Sequence, residues 1–313
     1  PGEMGRSVGR NGTIRWIDIR KNSDIMKVKH YHFLERVHVM SWPNEVRSEG
    51  YTPYQPGFEQ KLHYHSFIVP KGNPLFGIVS DFYQFDSDTV NGEICAIPDG
   101  CMDLLFRYDE SGVTKTLEGY HLKKVVIPIY QVGSAFGVRF SPGGLANLID
   151  AQFSELIGEH VPVTDFLKRD ALLDQMDEAT EFGRRIEIIS EYLIKQLRRS
   201  YGTADVVRYC TDKIIYSRGN LLISDLSRET GYSIRYLRLL YHYHVGISPK
   251  ELCEIIQFQN SFHQFADLRK EQKEISLCDL AVSAGYYDQS HMNKCYHKMV
   301  GTLPQKFFIE MNR

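Results

Sequence analysis

The chain has 313 residues, 42% of them hydrophobic and 24% charged, with a formal net charge of −2 at pH 7. That length exceeds what one hydrophobic core ordinarily sustains, so two domains are expected, and the composition excludes a disordered chain. No apolar run approaches the roughly 18–20 residues of a membrane span, and no signal-peptide pattern opens the sequence. Six cysteines without a Cys-x-x-Cys pair suit a reducing, cytoplasmic setting. Near-neutral charge gives no global attraction for nucleic acid, so any DNA-binding reading has to come from local arrangement.

From Ile14 to Phe140, β-branched and aromatic residues are broken by turn sequences at 41–44, 70–74, Asn91-Gly92, Pro98-Asp99-Gly100 and 141–144. Runs between these turns, Cys101 to Phe106 and Ala135 to Phe140 among them, read as strands. An antiparallel sandwich or barrel over residues 14–150 is expected. The aromatic series Tyr51, Tyr54, Phe58, Tyr64, Phe67 and Phe76 comes with no catalytic constellation, which suits a small-molecule pocket. Asp103 sits mid-strand among Met102, Leu104, Leu105 and Phe106, where a buried carboxylate needs a partner. Arg139 alternates likewise between Val138 and Phe140. With Asp99, these residues form either a structural Asp–Arg pair or an effector anchor.

His63-Tyr64-His65 places two imidazoles on one strand face, a geometry metals favour, with Gly57 six residues upstream. Ser66 to Pro70 supplies no carboxylate, however, and His30 and His32 repeat the spacing without a nearby acid. Cys95 and Cys101 lack the partners of a zinc cluster. No Walker loop, Gly-x-Ser-x-Gly or His-Glu-x-x-His occurs, so neither an enzyme nor a cofactor is expected.

Residues 151–202 read as a helical linker. Between Glu178 and Tyr201 the apolar residues Phe182, Ile186, Ile189, Leu193 and Leu197 recur at the period of one helix face. That stripe docks on its own domain or on a second subunit, which would make a homodimer.

Residues 203–313 contain one pattern twice. Asp225-Leu226, Gly231-Tyr232, Tyr241-His242, Val245-Gly246 and Pro249 return as Asp279-Leu280, Gly285-Tyr286, Tyr296-His297, Val300-Gly301 and Pro304. The glycines lie 54 positions apart (231 to 285) and the prolines 55 (249 to 304). In each copy a short helix meets a glycine, and a polar N-cap, Ser233 or Asp288, then opens a second helix. This is the grammar of a helix-turn-helix. Between the copies, Ser248-Pro249-Lys250-Glu251 is a capping box opening a helix that runs to about Leu268. Roughly 20 residues at about 1.5 Å each give about 30 Å, close to the spacing of successive major grooves.

The first recognition helix carries Ser233, Arg235, Tyr236 and Arg238 and no acid, and arginine reads guanine bidentately. The second carries Gln289, Ser290, His291, Asn293, Lys294 and Lys298, in which amides suit adenine edges and lysines suit phosphates. Leu237, Leu240, Tyr241, Met292 and Tyr296 are assigned to the buried faces. The segment holds 14 Lys and Arg against 12 Asp and Glu, too modest an excess to bind DNA by charge alone.

These residues resemble the DNA-binding domain of the AraC/XylS family of transcription regulators, most specifically in Gly285-Tyr-Tyr-Asp-Gln-Ser-His291, Tyr296, Gly301 and Pro304. The resemblance implies that the exposed positions of both second helices read bases: Arg235, Arg238, Gln289, His291, Asn293 and Lys294. Leu239 stands where a basic residue is common, and Met292 replaces a usual phenylalanine. Ile97 to Phe106 and Gly137 to Gly144 resemble the regulatory domain found before such modules, implying a cupin-like β domain. The function expected is a sequence-specific regulator of double-stranded DNA, modulated by a small-molecule effector, with RNA polymerase and a second copy as further partners. The alternative is a metal-dependent cupin enzyme fused to a DNA-binding domain, with His63 and His65 as ligands.

Overall fold

The computed structural model describes residues 50–86, 92–110, 112–129, 133–149, 151–165, 171–197, 203–274 and 276–311, with the backbone of 5–8 and 14–17. The turn at 41–44, Asn91, and the His30 and His32 pair lie outside the described residues. Strands β1 (Gly5–Val8) and β2 (Ile14–Ile17) form an antiparallel ribbon. The main sheet comprises β3 (His63–Ile68), β4 (Val79–Asp86), β6 (Met102–Asp109), β7 (Gly112–Glu118), β9 (Ser134–Phe140) and β10 (His160–Pro162). Its order is β10-β7-β6-β9-β4-β3, with every neighbouring pair antiparallel. Strands β5 (Glu93–Ala96) and β8 (Val125–Pro128) pair as a second ribbon.

Alternation along the strands divides the sheet into two faces. Phe82, Leu104, Phe106, Phe136 and Val138 enter a large core shared with the helices. Tyr83, Phe85, Leu105 and Ala135 enter a smaller core with Leu62 and with Ile94 of the β5–β8 ribbon. Helix α1 (Pro56–Lys61) lies against that ribbon. A Cβ on Gly57 would stand 2.5 Å from the Cys95 carbonyl oxygen, so close approach of helix and ribbon accounts for this glycine.

Strand β10 lies beyond residue 150, because Val161 and its neighbours complete the sheet edge beside β7, so the stretch 151–202 is not a helical linker throughout. Helices α2 (Ala171–Glu178) and α3 (Phe182–Gln196) follow the sheet. Phe182 meets Phe136 edge-on at 6.0 Å, while the buried Arg185 lies over the Tyr108 ring at 3.9 Å and donates to Gln84 at 2.7 Å. Ile189 and Leu193 are fully buried, and Phe182, Ile186 and Leu197 pack against the same core. The stripe is therefore occupied within the chain, which corrects the expectation that it could serve a second subunit.

The helical part contains α4 (Thr203–Tyr216), α5 (Ile223–Thr230), α6 (Ile234–His244), α7 (Pro249–Lys270), α8 (Leu277–Ser283), α9 (Gln289–Val300) and α10 (Pro304–Glu310). Gly231 (φ 72°) and Gly285 (φ 85°) make the left-handed turns that a side chain would strain. The repeat extends one helix further back than the sequence pattern indicates. Tyr241 on α6 shares a hydrogen bond with Thr211 on α4 at 3.0 Å, and Tyr296 on α9 repeats this with Ser261 on α7 at 2.9 Å. Each copy is thus a three-helix unit, α4–α5–α6 and α7–α8–α9. Helix α7 has 22 residues, ends two residues beyond the expected stop, and begins with the capping box formed in full. Its span is about 33 Å at about 1.5 Å per residue.

Candidate functional site

In both recognition helices the local sequence builds the first turn. Ser233 Oγ accepts from the Tyr236 N–H at 3.2 Å, and Asp288 Oδ1 accepts from the His291 N–H at 2.7 Å. These caps fix where each helix starts and so which residues face outward. On α6, Ser233, Arg235, Arg238 and Leu239 are exposed, while Leu237, Leu240 and Tyr241 are buried. Tyr236 is half-buried against Tyr232, their rings 5.0 Å apart, so it braces the turn. On α9, Ser290, His291 and Lys294 are exposed, Gln289 and Asn293 are half-buried, and Met292 and Tyr296 are buried.

The cations differ in their partners. Arg228 pairs with Asp225, Lys213 with Glu229 and Lys298 with Glu254, the last at 2.6 Å. Among the described residues, Arg235, Arg238 and Lys294 make no ion pair and remain available to an incoming anion or base edge. Lys298 is instead turned back onto α7. The Gln289 carbonyl accepts from the Cys278 thiol at 3.0 Å, which leaves its NH₂ as the group to reach a base acceptor. Tyr287, 90% exposed just before the cap, is an apolar surface that sequence reasoning had not singled out.

A cavity of about 120 Å³ opens in the β domain. It lies between the small-core face of the sheet and the β5–β8 ribbon. Phe58, Phe85, Leu105 and Ile127 form its apolar wall, and Asp99, Asp103, Glu118, His121 and Arg139 supply most of its polar wall. Of the aromatic series expected to line a pocket, Phe58 alone does so. Tyr51 donates to the Asp99 carbonyl at 2.7 Å, Tyr54 packs on Phe262 and His263, and Phe67 is 43% exposed on edge strand β3. Spacing along the chain could not show which side of each strand or loop meets the ribbon.

The Asp–Arg pair forms, as the structural alternative expects, and both residues also line the cavity. Arg139 Nε stands 3.3 Å from Asp103 and its Nη1 3.7 Å from Asp81, with the guanidinium over the Tyr83 ring at 4.7 Å. A Cβ at Gly137 would overlap that ring, so the glycine makes room for it. Burial pushes the Asp99 carboxyl up to about 6, against the opposing pull of Arg139. Burial would raise Glu118 as well, but hydrogen bonds from His160 and Thr116 outweigh it and hold this carboxyl below its ordinary range. Burial and the neighbouring His160 depress His121. Asp81, Glu118, His121 and His160 were missed by sequence reasoning, because cross-strand register, not spacing, brings Asp81, Glu118 and His160 into one row with the Asp–Arg pair, and His121 joins the lining from the segment after β7.

The cavity wall touches the helical part. Gln55 donates to the Ile97 carbonyl at 2.7 Å and to Asp99 at 2.8 Å. On the other side of that segment, Gln259 of α7 donates to the Pro98 carbonyl at 2.9 Å and accepts from the Tyr54 N–H at 2.9 Å. Beyond His121, the Lys124 N–H donates to the Met299 carbonyl at the end of α9 at 2.7 Å. A Cβ at Gly246, just after α6, would stand 2.8 Å from the Phe153 carbonyl. The β domain thus contacts the C-terminal ends of both recognition helices and leaves their first turns exposed.

His63 and His65 lie exposed on β3, and among the described residues no group of three or more His, Cys, Asp or Glu is placed to hold a metal. Nor is any helix among them long and apolar enough to cross a membrane.

Residues 226–309 match the family model of a helix-turn-helix domain, and residues 68–162 match that of a domain of unknown function, DUF6597. No curated protein matches. Among solved structures the chain is similar to an apo variant of ToxT from Vibrio cholerae strain SCE256, at 11% identity and TM-score 0.36, over 84% of this chain and 99% of that one. ToxT from Vibrio cholerae O395 bound to (E)-4-(8-methylnaphthalen-1-yl)but-3-enoic acid gives 12% identity and TM-score 0.36, over 80% and 100%. Unsaturated fatty acid bound wild-type ToxT from strain SCE256 gives 11% and 0.34, over 83% and 96%.

Proposed function

We propose that the chain is a transcription regulator of the AraC/XylS type that reads specific double-stranded DNA by setting α6 and α9 into successive major grooves, under control of a small molecule held in the β domain; the match of residues 226–309 to a helix-turn-helix domain supports this reading. In this reading the β domain, through β10, senses, α2 and α3 connect and residues 203–313 bind DNA, in the cytoplasm. As such the chain acts as a transcription regulator and not as an enzyme. The observation that carries the reading is the contrast among cations: Arg235, Arg238 and Lys294 stand unpaired on the two recognition helices while neighbouring cations are paired.

Arg235 and Arg238 supply planar donors for guanine O6 and N7, and Gln289 and Asn293 supply amides for adenine edges. Lys294 supplies a phosphate contact. Helix α7, about 33 Å long, matches the roughly 34 Å between major grooves on one face of B-DNA. Control by a ligand is supported by the position of residues 97–99, with the cavity on one side and Gln259 of α7 on the other. A ligand that shifts this segment changes the footing of the helix that spaces the two readers.

The test is selection of an operator from random duplexes by the full chain, followed by methylation protection on the selected sequence. One chain is expected to protect guanine N7 in two segments about one helical turn apart on the same DNA face. Protection of a single segment, or selection of no sequence, would refute the two-groove mechanism.

A further inference from the structure

The exposed residues of α6 form one stripe. Arg235, Arg238, Leu239 and His242 follow one another at the i, i+3, i+4 and i+7 positions of a single helix face. Leu239 is the apolar member, 56% exposed, and among the described residues it packs on neither core.

A single exposed leucine on an ordinary surface needs no explanation. Two observations set this one apart. The recognition helices correspond at an offset of 55 (233 to 288, 241 to 296), and the same offset (239 to 294) sets Leu239 against Lys294. Leu239 thus stands where the second copy turns an exposed cation outward without an ion pair. Beside it on the stripe, Arg235 and Arg238 are likewise exposed and unpaired. Unpaired charge is depleted at the core of protein–protein contacts, so these neighbours favour a polyanion as the surface that covers the leucine.

The major groove of DNA offers one apolar group on its base edges, the C5-methyl of thymine. We propose that Leu239 reads a thymine, its side chain packing against the C5-methyl of a base that adjoins the guanines met by Arg235 and Arg238. The two side-chain types divide the work by chemistry. Arginine recognises the O6 and N7 acceptors of guanine and is indifferent to a methyl group, whereas leucine has neither donor nor acceptor and gains only from an apolar contact. Lys294 at the matching place on α9 offers no such contact, so the methyl dependence at this position belongs to the α6 segment alone. The assignment rests on the DNA-reading role proposed above and adds a base to what α6 specifies.

The test replaces each thymine of the selected operator, one at a time, with deoxyuridine, which removes the methyl and keeps the base pair. The full chain is expected to bind about three- to fivefold more weakly when the methyl is lost at one thymine in the segment that Arg238→Ala relaxes, the effect of about one buried methyl group. Leu239→Ala should bind the thymine and uracil duplexes nearly equally. Leu239→Lys, which gives the first copy the residue of the second, should also lose the methyl preference and steepen the salt dependence by about one phosphate contact. Both variants should unfold at the wild-type Tm, because the side chain lies outside the cores. Equal binding of thymine and uracil duplexes by the unmodified chain, a selected α6 segment without thymine, or a methyl preference that survives in both variants would each overturn the assignment. So would a lower sedimenting mass for Leu239→Ala, which would give the leucine to a protein contact. These results leave guanine reading by Arg238 standing and refute the thymine contact alone, whereas selection of no operator refutes the regulator reading on which it rests.

Discussion

In the first helix-turn-helix copy Tyr241 shares its hydroxyl with Thr211, and in the second Tyr296 shares its hydroxyl with Ser261. Both copies turn on a left-handed glycine and start their recognition helix with a side-chain cap, so the buried frames match. Their outer surfaces diverge. Helix α6 presents two unpaired arginines and an exposed Leu239, whereas α9 presents amides, a histidine and one unpaired lysine. The frame is fixed by packing, which tolerates few changes, and the exposed face is constrained only by what it meets. Two copies on one frame with different faces can read two different half-sequences with a single chain.

Substitutions that act on the frame should affect the copies equally, and substitutions on the faces should not. The largest effect is expected from Leu237→Ala and Met292→Ala, equivalent positions and each a fully buried side chain, at about 2–5 kcal/mol of stability by denaturant titration. A much smaller loss in one copy would show that its core is not equivalent. Next, Tyr241→Phe and Tyr296→Phe each leave a buried hydroxyl without its partner and should cost about 1–3 kcal/mol apiece in Tm-derived stability. Removing the caps sharpens the contrast. Ser233→Ala and Asp288→Ala should each cost about 0.5–2 kcal/mol of stability. Only Asp288→Ala also removes a negative charge near the phosphates, so in operator titrations it should lose less affinity than Ser233→Ala. The smallest effect belongs to Lys298→Ala, whose half-exposed pair with Glu254 is worth at most about 1 kcal/mol. If Lys298→Ala flattens the salt dependence of DNA binding by a full phosphate contact, this lysine leaves Glu254 in the complex.

The parts of this molecule legible in its sequence are those built by neighbours in the chain. Ser233, Asp288, Ser248 and the turn glycines act within four residues of themselves, so they could be read before any coordinates. The capping box at Ser248–Glu251 and the buried faces of α6 and α9 follow for the same reason. The cavity follows from register. Asp81, Asp103, Glu118, Arg139 and His160 are scattered over 80 positions, from 81 to 160, and meet only because five strands align in one order. Asp103 and Arg139 stood out as polar residues inside apolar strands, but nothing local marked Glu118 or His160 as their neighbours. Gln259 was equally silent, since its role is set by Tyr54 and Pro98, far away in sequence.

The division of labour between α6 and α9 is tested most directly by measuring Arg238→Ala and Asn293→Ala against every single-base variant of the selected operator. The account predicts that Arg238→Ala relaxes preference at guanines in one segment and Asn293→Ala at adenines in the other, about one helical turn away, each by about 1–3 kcal/mol per base pair. Relaxation within the same segment by both variants, or unchanged specificity in both, would contradict it.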